Sequence, residues 1–206
     1  MKTIIFQAVL CSFLTINSYG QDKRASFSNL SGPEKWWVIW HPFKAKKALE
    51  ASLKTLRITD SIGNLGIVGK DINGGRLDAF KHAYWMAILC QTIGEKAAIK
   101  LGEAHEKGNY KSFLKGKTED GSLADKSSSD MDLFNNNAGV QIYLKNPKAD
   151  ETALAALVIQ SLLAGELVVI KKQGSMYLDC QGTPIKAITL AGKWENDKCL
   201  VPSDEF

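Results

Sequence analysis

Gly74-Gly-Arg-Leu-Asp-Ala-Phe-Lys-His-Ala-Tyr-Trp-Met-Ala-Ile-Leu-Cys-Gln-Thr-Ile-Gly94 is the stretch whose reading decides the fold. It has the length of a helix, and glycines stand at both ends, where helices prefer to start and stop. From Ala83 to Cys90 it is apolar on every side, which predicts a helix buried all round, over about 75–93. Its first half nevertheless carries Arg76, Asp78, Lys81 and His82. Asp78 and His82 are four residues apart and so lie one above the other on one helical face. Ionisable groups that enter a core must be paired, neutralised or put to use. This helix is therefore expected to hold both the core and a polar site.

The segments around it also read as helices. Pro33-Glu-Lys-Trp-Trp-Val-Ile-Trp40 is a short helix with proline in its favoured first turn, broken at His41-Pro42. A longer helix spans about 43–62, with Ala45, Leu49, Leu53, Leu56 and Ile62 as its apolar stripe and lysines on the other side. Asn64 to Gly75 is a glycine-rich loop. Its Asp71-Ile-Asn73 piece faintly resembles a calcium loop, but Arg76 and His82 stand where that pattern needs Gly and Glu. A helix over 95–107 turns Ala97, Ala98, Leu101, Ala104 and His105 inward and is expected to stop at Gly108. Glu106, at the edge of that face, would then oppose the helix dipole in the last turn. Residues 108–129 form a long polar loop.

A helix over about 130–144, capped by the serines before it, contains Asn135, Asn136 and Asn137. Asparagine amides compete for the backbone and cost around half a kcal/mol each in a helix. Three together are a local inconsistency of the kind that marks functional or strained positions. A last long helix runs from its Asp150 cap to about Ala164. Beyond it the period becomes that of strands, at 167–170, 176–178 and 185–190. The fold class is thus mainly α: a single helical domain over 33–165 around the central helix, then a small C-terminal β-ribbon over 166–206.

The first twenty residues read as a signal peptide: a positive start, an apolar run from Ile4 to Ile16, and Ser18-Tyr19-Gly20 as the cleavage site. The protein is then exported, with a flexible segment over 21–32. The net charge of +4 becomes +3 without Lys2, too small and too evenly mixed to indicate nucleic acid. No later stretch approaches the ~18 uninterrupted apolar residues of a membrane span. Peripheral contact with lipid through Trp36, Trp37 and Trp40 is an open reading beside a place in the core. Export permits a disulfide between Cys180 and Cys199, whereas Cys90 reads as a free core thiol.

Three helices thus bring polar groups to apolar faces: Asp78 and His82, then His105 and Glu106, then Asp132, Asn135 and Asn136. Helical bundles build metal sites in this way. His82, His105 and Asp132 are the candidate ligands of a divalent metal such as zinc, with Asp78 as ligand or neighbour. Glu106 or Asp78 would act as acid or base, and Asn135 and Asn136 would orient ligands or substrate. Three readings stand together: a metal-dependent hydrolase acting on phosphoester, phospholipid or cell-wall material; a metal-free glycan-cleaving enzyme, which needs two carboxylates across a cleft; and a non-enzymatic module whose polar network fixes helix packing.

The blocks Asp78-Ala-Phe-Lys-His-Ala-Tyr-Trp85, Ala104-His-Glu106 and Met131-Asp-Leu-Phe-Asn-Asn136 resemble those of a bacterial family of exported and cell-surface domains of unknown function. Lys81 stands where that family usually has arginine, keeping the charge but losing bidentate contact. The resemblance covers about residues 33–170. It implies a helical domain that gathers these polar residues, and no particular activity.

Overall fold

A computed structural model describes residues 27–117 and 123–205. The expected signal peptide, with Cys11 in it, lies outside the described residues. Among the described residues, six helices of more than two turns stand out: α1 (Gly32–Trp40), α2 (Pro42–Leu65), α3 (Arg76–Ile93), α4 (Glu95–Phe113), α5 (Lys126–Lys145) and α6 (Glu151–Leu163). The C-terminal region holds β1 (Val168–Ile170), β2 (Lys172–Gln173), β3 (Met176–Tyr177), a single helical turn α7 (Ala187–Leu190) and β4 (Leu200–Pro202). The chain is mainly helical with small antiparallel sheets near its end, as expected.

The central helix is α3. Ala79, Phe80, Ala83, Ala87 and Leu89 are fully buried, and α2, α4, α5 and α6 all pack on it. Its closest partner is α5. Gly139 lies so near the backbone of α3 that an added Cβ would meet the Ala83 carbonyl oxygen at 2.0 Å. The α2 side is also close-packed, because Ala48, Ala51, Thr55, Thr59, Ile62 and Gly63 face inward. This differs from the expected leucine stripe: Leu53 and Leu56 are half exposed. Small side chains win the helix–helix contact because they let the two backbones approach, and the leucines are turned to the flank.

Two helix boundaries also differ from the sequence reading. Helix α4 runs through Gly108 to Phe113, since that glycine is a contact and not a stop. A Cβ there would meet Ser31 Oγ at 2.3 Å. Ser31 in turn caps α1 through a reciprocal capping box with Glu34. Helix α5 begins at Lys126, capped by Asp125 and not by the serines, which frees Ser127 and Ser129 to point inward.

The C-terminal region departs furthest from expectation. Residues 187–190 form a helical turn, with Ile188 exposed, and not a strand. The partner of β1 is β4, in antiparallel register Val168↔Pro202, Val169↔Val201 and Ile170↔Leu200, while β3 pairs with β2, a two-residue strand not expected from the sequence. Cys180 and Cys199 are joined, with Cα atoms 4.9 Å apart. Cys90 is a buried free thiol whose pKa burial pushes up to about 12, as befits an inert core residue. The ribbon is locked to the helices by Ser203, whose Oγ donates to the Leu162 carbonyl at 2.6 Å and whose carbonyl accepts from Arg76 Nε at 2.6 Å.

The α3–α5 crossing yields a stability prediction. Gly139→Ala forces two backbones apart and is expected to cost at least about 3 kcal/mol, the upper end for overpacking. Gly32→Ala, with nothing within 4 Å of an added Cβ, is expected to be neutral or mildly stabilising. Denaturant unfolding of both variants measures the contrast.

Candidate metal centre

The site begins with the loop before α3. Gly74 adopts φ +88°, where a side chain would be strained, and an added Cβ would meet Ile170 Cδ1 at 2.6 Å. Its carbonyl accepts from Ile170 N at 2.8 Å, and its own N–H donates to Asp78 Oδ2 at 2.7 Å. One glycine thus ties the β-ribbon to the first turn of α3 and orients Asp78. Nearby, the ammonium of Lys172 lies 2.6 Å from both Asp71 Oδ2 and the Asn73 carbonyl. The faint resemblance of this loop to a calcium site has a simple explanation: a lysine provides the positive charge.

Asp78 and His82 share the inner face of α3, and Asp132 comes from α5. His82 Nε2 lies 3.3 Å from Asp132 Oδ1 and 3.6 Å from Asp78 Oδ1. Each of the three residues is less than a tenth exposed, and they offer ligand atoms all within 4.8 Å of one another. The nearest pair is not aligned as a hydrogen bond, for Asp132 Oδ1 accepts none among the described residues. Lys81 Nζ lies 2.8 Å from Asp78 Oδ1.

The electrostatics follow from burial. Burial first, then the charges of Lys81 and His105, hold the His82 imidazole well below its ordinary pKa, while the nearby Asn136 amide acts in the opposite sense. The ring is therefore neutral, the form that binds metal. Burial first, then the charges of Asp78 and Glu106, push the Asp132 carboxyl well above the usual carboxylate range.

The remaining candidates take different places. Glu106 is buried and lines the same cleft, with Oε2 accepting from Ser129 Oγ at 3.0 Å. Because α4 continues to Phe113, Glu106 lies inside the helix and not in an opposing last turn. His105 is outside the close ligand group. Its ring centroid is 6.3 Å from that of His82, and its Nδ1 lies 3.0 Å from Glu34 Oε1. Burial raises the Glu34 carboxyl, but the hydrogen bond and charge of His105, with Ser31, outweigh it and lower its pKa. Asn136 faces the site, whereas Asn135 does not. The Asn135 amide donates to the Val168 carbonyl at 2.9 Å and its carbonyl accepts from Val168 N at 3.0 Å. It mimics a missing strand along the edge of β1, which is a structural duty and not substrate orientation.

A small polar cleft of about 60 Å³ leads to these groups. Its far wall comes from the ribbon, through Tyr177 and Lys198, and neither was foreseen from sequence. Lys198 lies over the Tyr177 ring at 3.8 Å and is paired with Asp125 at 2.5 Å. Glu34 was also missed, as a helix-capping carboxylate 71 positions from the histidine it meets carries no local signal.

A family model described as a domain of unknown function (DUF6973) matches residues 35–166. The chain belongs to this family. The DUF6973 match takes in α2 to α6, most of α1, and with them Asp78, His82, Glu106 and Asp132. Neither a curated protein nor a solved structure matches the chain.

The two asparagines can be separated experimentally. Asn135→Ala leaves the Val168 amide and carbonyl without their partners and is expected to lower stability by about 1–3 kcal/mol. Its effect on divalent-metal affinity, measured by calorimetry on the folded variant, should be less than twofold.

Proposed function

We propose that this DUF6973 domain is a metal-dependent hydrolase working outside the cytoplasm on phosphoester, phospholipid or cell-wall bonds. The observation that carries the reading is the convergence of Asp78, His82 and Asp132 from two helices, with ligand atoms within 4.8 Å, at the end of a cleft. Two carboxylate oxygens and one imidazole nitrogen suit zinc or a related divalent ion and leave a coordination position open. The donor chemistry fits. His82 is neutral, and Asp132 has a buried oxygen that accepts no hydrogen bond among the described residues. A cation there would favour the ionised form of Asp132 that burial disfavours.

Such an ion supplies Lewis acidity toward a scissile carbonyl or phosphoryl group. The chain's own residues do the rest. Lys81 and the Gly74 amide orient Asp78. Glu106, held by Ser129 and lining the same cleft, would take a proton from the attacking water and return it to the leaving group. His105, one of the ligands suggested by the sequence, stands instead at the rim, held by Glu34. The Cys180–Cys199 disulfide supports an oxidising compartment. No helix among the described residues is long and apolar enough to cross a membrane.

Zinc or manganese titrated into chelator-stripped protein should bind at one equivalent. His82→Ala and Asp132→Asn should each weaken binding by more than the 10–100-fold that outer residues usually cost. Glu106→Gln should keep the metal while losing roughly 10²–10⁴-fold in hydrolysis of ester or phosphodiester substrates. Equal metal uptake by the wild type and the His82→Ala/Asp132→Asn double variant would overturn the proposal.

A further inference from the structure

Beside the polar cleft lies a second and much larger cavity, of about 570 Å³, bounded by α1, α2, α3 and α4. Its volume falls within the ~300–1,000 Å³ range of small-molecule sites. Lys81, His82 and His105 line both cavities, so the two meet at the candidate metal centre. Away from that junction the wall is dominated by apolar side chains, among them Leu30, Val38, Leu49, Leu56 and Leu101. Leu49 and Leu56 belong to the α2 stripe that the packing turns away from α3. Half of the Leu56 surface is exposed, so the leucine stripe borders a cavity and not a closed core. An apolar hollow with one charged end has the shape and polarity of an amphiphile.

The surface outside the cavity has the same character. Trp36, Ile39, Trp40 and Phe43 stand exposed around the α1–α2 corner, Phe43 at 94%, whereas Trp37 is buried with its Nε1 donating to the Ala97 carbonyl at 3.1 Å. Of the three tryptophans considered for lipid contact, Trp37 is thus core and Trp36 and Trp40 are exposed, while Lys46, paired with Glu50 at 3.6 Å, and Lys47 follow Phe43 by one turn on α2. Exposed aromatics with lysines are the composition of a face that rests on a lipid interface.

We propose that the large cavity holds the hydrocarbon chain of a membrane lipid, with the lipid's ester or phosphoester group presented to Asp78, His82 and Asp132. The head-group half of this assignment rests on the hydrolase reading above. The chain-binding half does not. The layout gives each part of the lipid a partner: apolar side chains of α1, α2 and α4 for the chain, and Lys81 near the junction for an anionic head. Hydrolysis in this geometry adds water across the ester or phosphoester bond, the hydroxyl going to the acyl or phosphoryl centre and the proton to the departing alkoxide.

The test uses the chelator-stripped full chain, so that chain binding is measured apart from metal. Single-chain alkyl phosphocholines of eight to sixteen carbons, below their micelle concentrations, are titrated while Trp37 and Trp85 fluorescence reports on the cavity. Saturable one-to-one binding is expected, tightening about fourfold per methylene until the cavity is filled, as ~0.8 kcal/mol per buried CH₂ implies. Leu49→Trp, which fills the cavity, should weaken binding at least tenfold with zinc affinity unchanged. Leu56→Glu, a half-exposed change that leaves the fold alone, should weaken it several-fold. In a vesicle arm, anionic phospholipid vesicles should bind the wild type, and Trp40→Ser/Phe43→Ser should bind them at least tenfold less tightly. Absence of saturable binding, indifference to chain length, or full affinity in both cavity variants would overturn the chain site. Chain binding without vesicle binding would overturn the membrane as its source. Loss of metal binding with chain binding intact would sink the hydrolase reading alone.

Discussion

The structure depends on one close approach, that of the α5 backbone to the α3 backbone at Gly139 and Ala83. No other residue type fits there, since a Cβ would fall 2.0 Å from the Ala83 carbonyl oxygen. The consequence is geometric. Asp132 lies seven residues before Gly139, two turns back on the same face of α5, and Asn135 and Asn136 lie one turn back. His82 adjoins Ala83 on α3. Fixing the two backbones at contact distance therefore fixes Asp132 Oδ1 at 3.3 Å from His82 Nε2. The same face carries the Asn135 clamp to Val168, so one row of α5 residues holds the core, the site and the ribbon together.

That arrangement concentrates negative charge where water is scarce. Asp78, Asp132 and Glu106 are all buried, and Lys81 and His105 are the basic groups beside them. Lys198, which also lines the cleft, is already paired with Asp125. Asp78 gains from its place in the first turn of α3, where the helix dipole and the Gly74 amide favour a carboxylate. Asp132 has no such support and responds with a raised pKa. A fold that needed only packing would gain stability by replacing these groups with apolar ones of similar size. The proposed metal centre gives these charges a counter-ion and uses the cleft that reaches them, whereas a purely structural network would need no such access.

Much of this was legible in the sequence because two signals are local. A helix apolar on all sides must be buried, and α3 is. Charged residues spaced by four on such a helix must meet partners, and Asp78 and His82 do. The triple asparagine marks a stretch of α5 where Asn135 is bonded to the β1 backbone and Asn136 faces the polar cluster. What failed depended on distant neighbours. Gly108 reads as a helix stop unless Ser31 is known to press against it. The leucines of α2 read as core unless the smaller Ala48 and Ala51 are seen to win the α3 contact. Residues 185–190 alternate like a strand, but pairing ends at Ile185, whose N–H donates to the Tyr177 carbonyl, and 187–190 coil into a helical turn, while β1 is paired with the short β4, which ends on a proline. His105 reads as a ligand until Glu34 is found beside it.

The misread leucine stripe is the most informative of these failures. Hydrophobic periodicity reports that a face avoids water, but not whether protein or ligand covers it. On α2 the two alternatives split: the alanine and threonine row meets α3, and the leucine row borders a cavity. A helix with two apolar faces of different side-chain size is suited to both tasks, because small residues allow backbone contact and large flexible ones can wrap an irregular guest. The cavity then opens onto the end of α3 that carries the charges and not onto its apolar half. Chain-binding surface and polar centre are thus placed in series along one path, which is the order in which a lipid presents its own parts.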